Sequence, residues 1–125
     1  MMYYKAKLFD DFEMMEKIME TTSPARVKKL GRKVKGFDEE IWRKNRRKIV
    51  EKVLLHKFKQ NKDILVKLLS TKGSKLYEAS PYDKIWGIGL VESNARLMDK
   101  SRWPGENLLG ELLMKVRSKL IRSRK

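Results

Sequence analysis

The sequence predicts a mainly helical fold with a little β structure around residues 75–91. Three observations carry that expectation. Apolar residues recur at helical spacing along most of the chain. Recognisable start and stop residues separate those stretches. Only "KLYEA", 75–79, is short enough to be read as a strand, and it alternates weakly.

The elements follow in order. Leu8, Phe12, Met15 and Met19 place one helix over the first twenty residues. "TTSPAR" breaks and restarts it: Ser23 is a candidate N-cap, and Pro24 fits the first helical position, where its missing N–H costs nothing. That second helix should run to about Val34, with Gly36 in the left-handed conformation that stops a helix. Asp38 is the next candidate cap, with Glu39 and Glu40 favourable at the positive end of the helix dipole. A long helix then carries two adjoining stripes, Trp42, Ile49, Val53 and Ile41, Val50, Leu54, Phe58. Arg43, Lys44, Arg47, Lys48, Glu51 and Lys52 lie mainly on its other side. "QNKD", 60–63, interrupts, and Ile64, Leu65, Leu68 and Leu69 mark a shorter helix before the turn "STKGS", 70–74. After "WPGEN", Leu108, Leu109, Leu112, Leu113, Val116, Leu120 and Ile121 define a strongly amphipathic last helix. Lys115, Arg117, Lys119, Arg122 and Arg124 suit its negative C-terminal end.

A chain of 125 residues suits one compact domain, 1–125. It has no cysteine, which excludes disulfides, zinc–thiolate sites and cysteine nucleophiles. No run reaches the roughly 18 apolar residues of a membrane span, and the start lacks the apolar core of a signal peptide. The expectation is a soluble, cytoplasmic protein that does not enter a membrane. The net charge of +15 is uneven: −2 over residues 1–24, +11 over 25–70 and +6 over 71–125. Such a surface attracts phosphates at long range and makes nucleic acid a candidate non-specific partner; it equally describes solvated helix faces.

Two segments could carry chemistry. In "EASPYDKIWGIGL", 78–90, Pro81 stiffens a loop, Asp83 is presented from a turn, and Trp86 supplies a flat surface. Gly87 and Gly89 let backbone approach a ligand or take positive φ. A carboxylate beside an indole can bind a sugar hydroxyl while a base stacks. A structural turn, with Asp83 capping and Trp86 in the core, reads equally from the spacing. "DKSRWPGENLLG", 99–110, places Asp99, Trp103, Gly105 and Asn107 before the last helix, whose first N–H groups could face an anion; ordinary capping by Asn107 is the alternative. Trp42, near Arg43, Arg46 and Arg47, could stack a base or sit in the core. His56, the one histidine, reads as a surface or packing residue, and no His, Asp and Glu cluster has metal spacing.

Taken in order, the pieces resemble the NADAR superfamily, the YbiA-like N-glycosidases. The matching stretches are "MMYYKAKLF" at the start, "SPARVKKLGRKVKGFDEEIWRKNRRKIV" at 23–50, "KFKQNKDILVKLLSTKGSKLYEASPYDKIWGIGL" at 57–90 and "WPGENLLGELLMKVRSKL" at 103–120. The resemblance implies a compact α+β fold, mainly helical. It implies hydrolysis of an N-glycosidic bond in a small phosphoribosyl or ADP-ribosyl substrate, such as an early riboflavin-pathway intermediate, with no metal or organic cofactor. By resemblance, Asp83 is the catalytic carboxylate and Trp42 the stacking residue. Trp86, Gly87 and Gly89 shape the pocket wall, Asn107 is a polar contact, and Lys5 and Arg32 hold the phosphate. Family members carry a preceding segment with β structure, ending in a Glu-His-Tyr run whose glutamate is catalytic. Here the sequence starts at Met1, and none of Glu13, Glu16 or Glu20 stands at the matching position. The resemblance therefore implies either an N-glycosidase or a domain that binds nucleotides, ADP-ribose or nucleic acid without turnover.

Overall fold

A computed structural model describes residues 1–123 of the chain; Arg124, assigned above to the last helix, lies outside the described residues. The chain divides into two compact units, Met1–Val53 and Leu54–Lys125.

The first unit opens with two helices where the periodicity predicts one: α1, Met2–Leu8, and α2, Phe12–Glu20. The break has a local cause. Asp10 takes φ 54°, a conformation that aspartate tolerates better than most residues. Asp11 then caps α2, accepting the Met14 N–H at 3.2 Å. Its other oxygen accepts the Lys35 N–H at 2.8 Å and ties the two segments together. The break also rotates the buried face. Met14 and Ile18 of α2 join Ala6, Leu30 and Val34 in the core, while Phe12 and Met19 of the expected stripe are 66% and 70% exposed. Helix α3, Pro24–Gly31, starts as expected, with Ser23 Oγ accepting the Arg26 N–H and Pro24 at the first turn. It ends earlier than Val34, through turns at 32–33, and Gly36 follows with φ 73°.

Helix α4, Glu39–Gln60, runs through the residues at which the two units divide. Asp38 Oδ1 accepts the N–H groups of Glu40 and Ile41, as its position predicts. The buried positions Trp42, Arg46, Val50, Leu54 and Phe58 recur every four residues. Ile41, from the second expected stripe, is instead 45% exposed.

The second unit contains α5, Lys62–Ser70, a short α6, Glu92–Ala95, a 3₁₀ turn over Lys100–Arg102, and α7, Leu108–Ser123. Leu108, Leu112, Val116 and Leu120 form the buried face of α7, as the sequence predicts. Arg117 departs from expectation. Rather than meeting solvent near the helix end, it is buried and donates to the Thr71 carbonyl and hydroxyl at 2.8 and 2.9 Å and to the Ser74 carbonyl at 2.8 Å. It thus fastens the 70–74 turn to α7.

The expected β component around 75–91 is absent: among the described residues there is no strand. The backbone groups that a ladder would use have other partners. The Glu78 carbonyl accepts from Ser80 and Ile88, and the carbonyls of residues 84–88 accept from 105–109. The described helices include none long and apolar enough to cross a membrane.

Candidate active site

The residues singled out in the sequence fall into two groups, one in each unit. In the second unit, the 84–88 segment lies against the entry to α7. N–H groups of five successive residues donate to it: Gly105 to Ile88, Glu106 to Lys84, Asn107 to Gly87, Leu108 to Ile85 and Leu109 to Trp86, at 2.7–3.0 Å. The expectation that the first N–H groups of α7 face an anion is thereby corrected for Leu108 and Leu109, whose donors are spent on carbonyls.

Such a close approach leaves no room for side chains. A Cβ on Gly105 would overlap the Gly87 carbonyl and the Ile88 backbone, and one on Gly110 would overlap the Leu76 carbonyl. A Cβ on Gly87 would stand 2.9 Å from the Glu78 carbonyl and 3.0 Å from that of Asp83. Gly89 has φ 77°, and a Cβ there would meet Pro104 at 2.9 Å. These glycines let the chain approach itself. Gly105 and Gly110 were visible in "WPGENLLG", but spacing carries no sign that a second backbone segment crosses there.

Asn107 joins the same structure. It is buried with φ 54°, its Oδ1 accepts the Glu78 N–H and its Nδ2 donates to the Leu76 carbonyl, both at 2.9 Å. Both ends of the amide are thus used to hold the 76–78 segment against the start of α7.

Asp83 stands on the rim of this network, half-buried. Its Oδ1 accepts the N–H groups of Ile85 at 3.0 Å and Trp86 at 2.9 Å. The turn therefore fixes the carboxylate in direction, and the carboxylate in turn caps the turn. Trp86, next to it in this arrangement, is half-buried.

In the first unit, Lys5 of α1 gathers the remaining candidates. Its Nζ lies 4.6 Å from the Phe37 ring centre and 5.7 Å from that of Trp42, within cation–π range of both. Burial lowers the Lys5 pKa below the usual lysine value, the carboxylate of Glu39 opposes that shift, and the Arg32 charge adds to it. Trp42 is 8% exposed, so most of the indole is core and little of it meets solvent. Arg32, just past α3, lines a cleft of about 470 Å³ with Ser23, Arg26, Lys28 and Lys29. Phe37 was missed in the sequence because it sits in the turn after Gly36, outside any periodic stripe. His56 is exposed on α4. Among the described residues no three His, Asp or Glu side chains gather as metal ligands.

Comparison with known proteins places these residues in a family. The chain is 46% identical over 117 residues to N-glycosidase R617 of Acanthamoeba polyphaga mimivirus, covering 94% of this chain and 69% of that protein. It is 43% identical over 121 residues to Protein irg-1 of Caenorhabditis elegans, covering 95% of this chain but 57% of that one. It is 31% identical over 118 residues to N-glycosidase YbiA of Shigella flexneri serotype 5b, covering 94% and 67%. The NADAR domain model matches residues 1–121, and with it the chain belongs to the NADAR family.

Proposed function

We propose that this chain hydrolyses the N-glycosidic bond between a base and a ribose phosphate or ADP-ribose. The observation that carries the proposal is Asp83: a half-buried carboxylate aimed by two backbone N–H groups, on a loop anchored to the head of α7. Kinship with relatives named N-glycosidases supports it. In the reaction the C1–N bond breaks. Positive charge develops on the ribose ring, water supplies hydroxide to C1, and the base leaves with the proton. The Asp83 carboxylate stabilises that cation or takes the proton from water. Trp86, Gly87 and Gly89 form the wall beside it, and Asn107 holds that wall in place. Within the first unit, taken by itself, Lys5 and Arg32 are cations that a phosphate could meet, and Trp42 is a core indole within cation–π reach of Lys5. The substrate class we favour is a phosphoribosylated pyrimidine-type intermediate of riboflavin synthesis.

The test is base release, followed by chromatography, from phosphoribosylamino-pyrimidines and from ADP-ribosylated guanine. Asp83→Asn is the informative variant: an amide oxygen still accepts both N–H groups, so the turn survives while the charge is lost. Full turnover in a folded Asp83→Asn protein would sink the assignment.

A second reading is binding without turnover, favoured by the cations of Arg26, Lys28, Lys29 and Arg32 around one cleft. It expects unhydrolysed ligand to be retained, with an affinity that falls as salt rises.

A further inference from the structure

A second cleft, of about 570 Å³, lies within the second unit, and none of Asp83, Trp86, Gly87, Gly89 or Asn107 lines it. Its volume falls in the range of small-molecule sites. The inner wall includes Ile88 and Ala95, 2% and 6% exposed, so it is built on core rather than on a mobile surface. Tyr77 and Trp103 form an aromatic corner, ring centres 4.9 Å apart at 88°. The Trp103 indole N–H already donates to the Ala95 carbonyl at 3.2 Å, which fixes the ring and leaves its π surface as what it can offer.

Charge decides the rest. Lys75 and Lys100 line the same cleft, and Lys100 Nζ lies 5.2 Å from the Tyr77 ring centre. The carboxylate in the lining, Glu92, is bonded to Arg96 one helical turn away. That pair largely cancels, so the cleft presents an excess of two cations beside two aromatic rings. A saturated apolar ligand would leave those ammonium groups uncompensated, and a bare anion would leave the rings unused. The carboxylate being paired, the cleft has no evident general base, and its chemistry is recognition.

We propose that this cleft is a binding site for a planar aromatic group carrying phosphate, of the nucleoside monophosphate class. The ring lies in the Tyr77–Trp103 corner and the phosphate is met by Lys75 and Lys100. The site stands apart from the Asp83 carboxylate and does not depend on the proposed hydrolysis.

The experiment is a titration of the whole chain with adenosine 5′-monophosphate. Binding is read by calorimetry and by amide and indole shifts in nuclear magnetic resonance spectra. Shifts should centre on the Trp103 indole N–H and on the amides of Tyr77, Ala95 and Lys100. Adenosine and ribose 5-phosphate, each holding half of the recognised chemistry, should both bind about tenfold more weakly. Lys100→Ala should weaken the monophosphate about fivefold, and Tyr77→Leu by a similar factor. Lys44→Ala, which removes an equal charge from the exposed side of α4, should leave the affinity unchanged. Shifts confined to other residues, equal losses in Lys44→Ala and Lys100→Ala, or ribose 5-phosphate binding as well as the nucleotide would each overturn the proposal.

Discussion

Lys5 shows how one residue can work against the fold that holds it. Its pKa is lowered chiefly by burial, so the folded state binds its proton less well than the unfolded chain does. At neutral pH the charged amine therefore opposes folding. Its stability contribution improves as pH rises through the folded pKa towards the unfolded value. The ring faces of Phe37 and Trp42 offset part of that cost. Lys5→Met should accordingly hold or raise the melting temperature at neutral pH. A clear drop in melting temperature would mean that Lys5 is a packing residue. Asp11 has the opposite sign. Its pKa is lowered first by the Lys35 N–H, then by that of Met14, against the effect of burial. Its contribution is present above the ordinary carboxylate range and is lost as pH falls through the lowered folded pKa. Urea denaturation should show Asp11→Asn less stable than the parent at about pH 7, with the gap narrowing as the pH falls below the ordinary carboxylate range.

At the scale of elements, the 76–78 and 84–88 segments and the head of α7 behave as one piece, and Asn107 is where they meet. Asn107→Gly keeps a backbone comfortable at positive φ but removes both amide bonds. It should cost roughly 2 kcal/mol in denaturant unfolding, because the Glu78 N–H and the Leu76 carbonyl lose their partners. Gly105→Ala should be worse tolerated than an alanine at Gly73, where a Cβ meets nothing within 4 Å but positive φ still strains it. The Arg117 clamp makes the matching prediction about two turns further along α7. Arg117→Lys cannot reproduce a planar fork that serves three oxygens across the 71–74 turn. It should cost about 2 kcal/mol, measured by the shift in the urea midpoint.

What the sequence could tell follows the same division. Caps were legible because they are local: Ser23, Asp38 and Gly36 act within a few residues of themselves. The buried face of α7 was legible because its period is unbroken from Leu108 to Leu120. The break at Asp10 was not, since positive φ at an aspartate leaves no mark in a hydrophobic pattern, and the wrong face of α2 followed from it. The carbonyls of residues 84–88, which the expected β component would have used, find donors 17 to 23 residues further on, and the clamping roles of Asn107 and Arg117 rest on partners 29 to 46 residues away; periodicity sees none of them. For the candidate site, the motif picked out Asp83 and its glycines. Only the structure showed that the glycines admit backbone and that Lys5 sits against Phe37 and Trp42.

For the whole molecule, charge and family point in different directions. A net charge of +15 would serve a polyanion binder, and any such binding should weaken steeply between about 50 and 200 mM salt. Membership of the NADAR family, with relatives named N-glycosidases, favours a chemical step. The chain spans 57% to 69% of the length of the relatives compared. The most direct measurement of the central claim is base release by the purified chain from a phosphoribosylamino-pyrimidine, with Asp83→Asn beside it and folding of both checked by circular dichroism. Release by the parent and its loss in the folded variant are expected. Equal release by both, or retention of intact substrate by both with no release, would contradict the claim.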